Sequence, residues 1–212
     1  RDLNAGATGN NTAVGHIAGR LMTTGTNNSL LGAASGDALT TGSNNTGLGY
    51  DALGANTTAG LNTAVGSNCM SSNTTGANNT AMGFNAASTG TTHSNNVAIG
   101  SYCLDAVTTG YNNVAIGQNA ATALTEATST VALGQNALIA VTTAVDNTAL
   151  GSMAGYNCTT GTQNTFIGRL AGYLSTTEGD NNTTIGYYAQ GSSATADNEF
   201  TLGNASISNL RC

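Results

Sequence analysis

Ten acidic side chains, two histidines and four cysteines are the residues of this 212-residue chain equipped for acid–base, metal or nucleophilic chemistry. Proton transfer asks for titratable groups held at a fixed separation around a substrate. Asp37, Asp51, Asp105, Asp146 and Glu126 instead fall in loop-like stretches at differing places, which reads as solubilising charge. His16 and His93 have no recurring partner and read as surface residues. Cys69 and Cys103 occupy one place in a repeating unit, two units apart. At about 4.8 Å per unit their Cα atoms would stand some 9–10 Å apart, beyond disulfide reach. The cysteines are therefore expected as free, mostly buried thiols. No cysteine or histidine pair has zinc-ligand spacing. Glycines recur too regularly to single out a phosphate-cradling loop, and the aspartate per turn of calcium-binding nonapeptides is missing. The expectation is a non-enzyme without cofactor or metal.

The elements that would position any site all derive from one repeat. Asn11-Thr12-Ala13-Val14-Gly15 returns as Asn62–Gly66, Asn79–Gly83, Asn96–Gly100, Asn113–Gly117 and Asn147–Gly151. The closing glycines are Gly15, Gly32, Gly49, Gly66, Gly83, Gly100, Gly117, Gly134, Gly151, Gly168, Gly186 and Gly203, 17 residues apart except for one interval of 18. So strict a period marks a solenoid of stacked coils. We expect an all-β, parallel β-solenoid over residues 11–203, about twelve coils forming a rod of roughly 55 Å. Residues 1–10 read as a lead-in or partial coil, and 204–212 as an exit segment toward a further C-terminal domain.

Alternation along a strand sends neighbouring side chains to opposite faces. One column, immediately before the glycine, is bulky: Val14, Leu31, Leu48, Val65, Met82, Ile99, Ile116, Leu133, Leu150, Ile167, Ile185 and Leu202. It is expected as the core ladder of each chain. The column one residue earlier is small and is expected to face outward, with Ala64, Ala81, Ala98, Ala115 and Ala132 packed around the axis of a homotrimer. Asparagines ahead of the strand (Asn28, Asn45 and their equivalents) should stack as an amide ladder. Thr-Thr pairs such as Thr57-Thr58 and Thr74-Thr75 mark a second, more exposed strand or turn. Between Ala120 and Val145 the loops lose asparagine and gain Leu124, Leu138, Ile139 and Val141.

Composition narrows the partners. Only 7% of residues are charged, lysine is absent and the formal charge is −6, so the chain lacks the basic footprint of nucleic-acid binding. No apolar run is long enough to span a bilayer as a helix, and no signal-peptide pattern is present. With roughly one bulky aliphatic per coil, a single chain encloses a thin core, so burial against partner chains is expected. Tyr156 and Tyr173 share a place in successive coils and should stack, which makes them candidates for gripping a receptor sugar. Threonine columns also admit an ice-binding solenoid, although adjacent threonines point to opposite faces and leave one outward row per coil.

The N-[TSV]-A-[VIL]-G unit followed by a short alanine segment resembles the head repeats of YadA-type trimeric autotransporter adhesins and the related repeats of bacteriophage tail fibres. Residues Thr201–Cys212 are similar to the junction that precedes an endosialidase-type intramolecular chaperone. The resemblance implies a left-handed β-roll packed as a homotrimer. It further implies a structural and attachment module, the shaft or head of a tail fibre in the virion or of an extracellular adhesin. The partners implied are two identical chains and a host surface glycan or protein receptor.

Overall fold

The computed structural model describes residues 9–174 and 178–207. The lead-in and exit segments read from the sequence therefore lie largely outside the described residues, as do Cys212 and the pair Thr176-Thr177. Twelve three-residue strands, β1 (Thr12–Val14) through β12 (Phe200–Leu202), form one parallel sheet in strict chain order. Registers pair each residue with its counterpart one repeat later, as in Thr63↔Thr80, Ala64↔Ala81 and Val65↔Met82. The 18-residue coil keeps the register, Thr165 facing Thr183, so its extra residue is absorbed in the turns.

Three residues is all the strand the repeat allows, because the glycine that follows turns the chain sharply. Gly66 lies at φ +136° with its α-carbon against the next coil; a Cβ there would stand 2.4 Å from the Gly83 carbonyl oxygen. Further left-handed residues follow two and four places after the glycine, Asn68 (φ 54°) and Met70 (φ 50°) in this coil. Another precedes the buried asparagine, as at Asn78 (φ 60°). These are single residues at corners, where asparagine tolerates the left-handed region. The Thr-Thr segment is a bend and forms no strand among the described residues. Its first threonine donates its hydroxyl to the carbonyl of the next coil's threonine, as from Thr57 to Thr74 (3.2 Å).

The core overturns the inside–outside assignment of the strand. The small column is interior: Ala64 and Ala132 are 0% exposed and Ala81, Ala98 and Ala115 are 1% exposed. These alanines are buried within their own chain and cannot meet a partner chain. The bulky column is on the outer surface, with Val14 54% and Leu31 51% exposed and Leu48, Met82, Ile116, Leu150 and Leu202 also exposed. Val65, Ile99, Leu133, Ile167 and Ile185 are half-buried in the same ladder. The cause is the narrowness of the coil. Bulk enters the interior from the opposite wall, at the residue four after the glycine (Leu53, Met70, Leu104, Leu138), and leaves room only for alanine on the strand. Where the strand centre is large, that wall shrinks to glycine. A Cβ on Gly36 would meet the Leu30 side chain at 2.9 Å, and one on Gly155 would meet Phe166 at 2.7 Å.

The amide ladder runs through the interior. Asn45 N–H donates to Asn28 Oδ1 (2.9 Å), Asn62 N–H to Asn45 Oδ1 (3.0 Å) and Asn79 N–H to Asn62 Oδ1 (3.0 Å). Each side-chain NH2 also reaches across the coil to a carbonyl, Asn62 to Gly76 at 2.8 Å for example. A buried polar column is affordable because every member is satisfied on several sides. At Thr130 the ladder stops: its N–H donates to Asn113 Oδ1 (3.0 Å), but its hydroxyl turns to the Thr128 carbonyl (3.4 Å). The chain of amides restarts at Asn147, whose Oδ1 accepts from Asn164 N–H (2.9 Å).

Candidate functional sites

The chemically equipped residues are dispersed by the coil. Cys69, Cys103 and Cys158 are buried and free, and burial pushes each thiol up to about 12, leaving no reactive thiolate near neutrality. Among the described residues no three His, Cys, Asp or Glu side chains are grouped to hold a metal ion. Arg20 and Asp37 pair across adjacent coils at 3.3 Å on the surface. Asp51 is raised from the ordinary carboxylate value by partial burial and then by the Asp37 charge.

His16 is exposed, whereas His93 is fully buried, contrary to the surface placement the sequence suggested. It stands where neighbouring coils have Gly76 and Gly110, and its ring fills the space of the missing side chain at Gly90. A Cβ on Gly90 would lie 2.2 Å from the His93 Cδ2. His93 Nδ1 faces Asn79 Oδ1 (3.3 Å) and the Asn96 side-chain nitrogen (3.5 Å). Nε2 is the one buried side-chain polar atom among the described residues without a partner. Desolvation lowers the histidine to about 4. The sequence carried a signal for this residue: a histidine in a glycine/alanine column, three after a glycine in a column of larger residues.

Tyr156 and Tyr173 do stack, with ring centroids 5.1 Å apart and planes tilted by 40°, and both are half-buried. More open aromatic surface lies on the two residues directly after the glycine. There Tyr50 is 61% exposed, and Phe84 meets Tyr102 edge-on at 5.4 Å. Farther along the rod, Arg169 lies over the Tyr187 ring at 5.8 Å.

The outer face of the sheet extends over all twelve strands. Two ridges run along it, the aliphatic column and, two residues earlier, a column of Thr12, Ser29, Thr46, Thr63, Thr80, Val97, Val114, Val131, Thr148, Thr165 and Thr183. Between them lies a trough floored by strand backbone. Its first stretch, walled by Thr12, Ser29, Thr46, Val14, Leu31 and Leu48, is an almost wholly apolar cavity of about 300 Å³. The outward threonines thus sit on the strand itself, still one row per coil, with Val97, Val114 and Val131 taking three successive rungs of that row. No family model, curated protein or solved structure matches the chain. Its assignment therefore rests on the geometry of these surfaces.

Proposed function

We propose that the chain is a non-enzymatic structural and attachment module. In this reading it is a rigid rod working as a homotrimer, the shaft or head of a bacteriophage tail fibre that contacts the host cell surface. The observation that carries the reading is the outward aliphatic ladder. Continuous apolar surface on this scale marks an interaction site. Covering a half-exposed aliphatic contributes roughly 1 kcal/mol, and the ladder repeats it on twelve strands. Three copies set parallel around a threefold axis would turn their ladders toward one another and cover this surface in a closed assembly. The repeat's likeness to tail-fibre and adhesin heads supports the same assignment, with a bacterial trimeric adhesin as the neighbouring variant. Location in a virion or at a cell surface follows from that role.

Light scattering on the purified protein tests the assembly: a mass three times 20.9 kDa is expected, and a monomer overturns it. Labelled protein should decorate bacterial cells if it is an attachment module. A second reading is favoured by the same two-row face, whose Thr-x-Val and Thr-x-Leu rungs present hydroxyls and methyls in a regular plane. A monomer that shows thermal hysteresis would establish an ice-binding solenoid instead.

A further inference from the structure

We infer that a strip along one side of the rod, over the coils that follow Gly83, Gly100, Gly117 and Gly134, is a binding site for a linear, uncharged glycan. The inference rests on the attachment reading and names the ligand class and the side chains for it. The strip is made of the two residues after each of these four glycines. Those eight residues comprise two aromatic rings, five amides and one serine, with no acid and no base. A sugar ring offers an apolar face of C–H groups and an equator of hydroxyls. It is matched by an exposed aromatic face beside groups that donate and accept together.

Geometry arranges the strip in that order. Phe84 and Tyr102, 45% and 38% exposed, meet edge to face at 5.4 Å and both keep side-chain surface open to solvent. The next two coils replace rings with amides held in ladders. Gln135 donates to Gln118 Oε1 (3.3 Å) and Asn119 to Asn136 Oδ1 (3.2 Å). Each such bond uses one of an amide's two N–H groups and leaves other donors and acceptors toward solvent. Mutual bonding fixes the amides before a ligand arrives, which lowers the ordering cost of binding. The rungs are about 4.8 Å apart, so rings and amides form a straight track along the axis that suits a polymer better than a single sugar. The rings are not required by the fold: the places of Phe84 and Tyr102 are taken by Ser101 and Asn119 in adjoining coils.

That interchange supplies the test. Phe84→Ser and Tyr102→Asn write neighbouring coils into this one, and asparagine keeps the left-handed backbone of residue 102 (φ 57°). Wild-type protein and both variants are run through gels containing soluble neutral polysaccharides (galactomannan, amylose, a mixed-linkage β-glucan) and over an array of neutral and acidic glycans. Retardation by a neutral linear glycan is expected, unchanged by 0.5 M NaCl. Each variant should weaken it at least about fivefold, with melting temperature and assembly mass unaltered. Tyr187→Ser, at the equivalent place far along the rod, should leave binding intact. The inference is overturned if no neutral glycan binds, if only acidic glycans bind and salt abolishes it, or if the Tyr102→Asn and Phe84→Ser proteins bind like wild type. It is also overturned if these variants lose their assembly mass, which would make the rings part of the chain–chain contact. Decoration of cells that protease removes and periodate spares would keep the attachment reading while rejecting the glycan. Absence of decoration would reject both.

Discussion

At the scale of single residues, His93 is where the interior is most exposed to chemistry. Its folded value of about 4 lies below the ordinary 6.5, so the neutral ring is the form the fold accepts. The stability this represents is fully present above pH 6.5 and is lost as pH falls toward 4. Below 4 the loss is complete. A shift of this size corresponds to roughly 3 kcal/mol. Urea midpoints should therefore drop between pH 7 and pH 4 in the wild-type protein, and His93→Ala should flatten that part of the profile. An unchanged profile in the variant would place the acid sensitivity elsewhere. The asparagines make a second case. Asn28→Ala removes the acceptor of Asn45 N–H and of the Asn45 side chain (2.9 and 3.1 Å), and the donor to the Gly42 carbonyl (3.0 Å). Orphaning buried groups costs about 1–3 kcal/mol each, so thermal melting should show a loss well above that of Asn27→Ala, its exposed neighbour in the same turn.

At the scale of the coil, the glycine that ends each strand is irreplaceable for two reasons at once, its positive φ and its contact with the next backbone. Gly66→Ala should cost about 3 kcal/mol or more, since the clash is with a carbonyl and no flexible side chain can move aside. Its melting temperature should fall far below that of wild type. Ala98→Leu should likewise destabilise the chain, by about 1–3 kcal/mol, but through overfilling its own interior. The coil also explains what the sequence disclosed. Period, strand positions, glycine turns, the asparagine ladder and free cysteines were legible because each is a local pattern repeated in register. The parity of the strand was legible too, but its sign was not. Val65 and Ala64 announce two faces, and nothing in Asn62–Gly66 says which faces inward. The answer lies across the coil in Met70 and Leu53, four residues after glycines, whose bulk claims the interior. Leu30 opposite Gly36 and Phe166 opposite Gly155 are the traces of that complementarity, visible only when the two columns are compared.

At the scale of the whole molecule, the outward aliphatics and the inward alanines separate folding from assembly. A Met82→Asp, Ile116→Asp, Leu150→Asp triple substitution puts three charges on exposed, non-adjacent rungs of the outer ladder, where the monomer tolerates them against water. Circular dichroism should keep its β signature while light scattering falls to the mass of one chain. An assembly that survives the triple substitution would mean another surface joins the chains. The glycan strip, one turn away from the ladder, should be unaffected in the dissociated protein apart from the loss of multivalent enhancement.

The interruption of the amide ladder at Thr130 has a mechanical consequence. A rod loaded along its axis carries tension through its rungs in series, so it is only as strong as its poorest joint. Between the coils of Thr130 and Asn147 the amide-to-amide link is missing, and the Thr125 hydroxyl bond to the Thr142 carbonyl (3.2 Å) spans that joint with the backbone ladder. Under pulling, rupture should begin there and split the rod into two stiff segments, one ending near Thr130, whose N–H still bonds Asn113 Oδ1, and the other starting at Asn147.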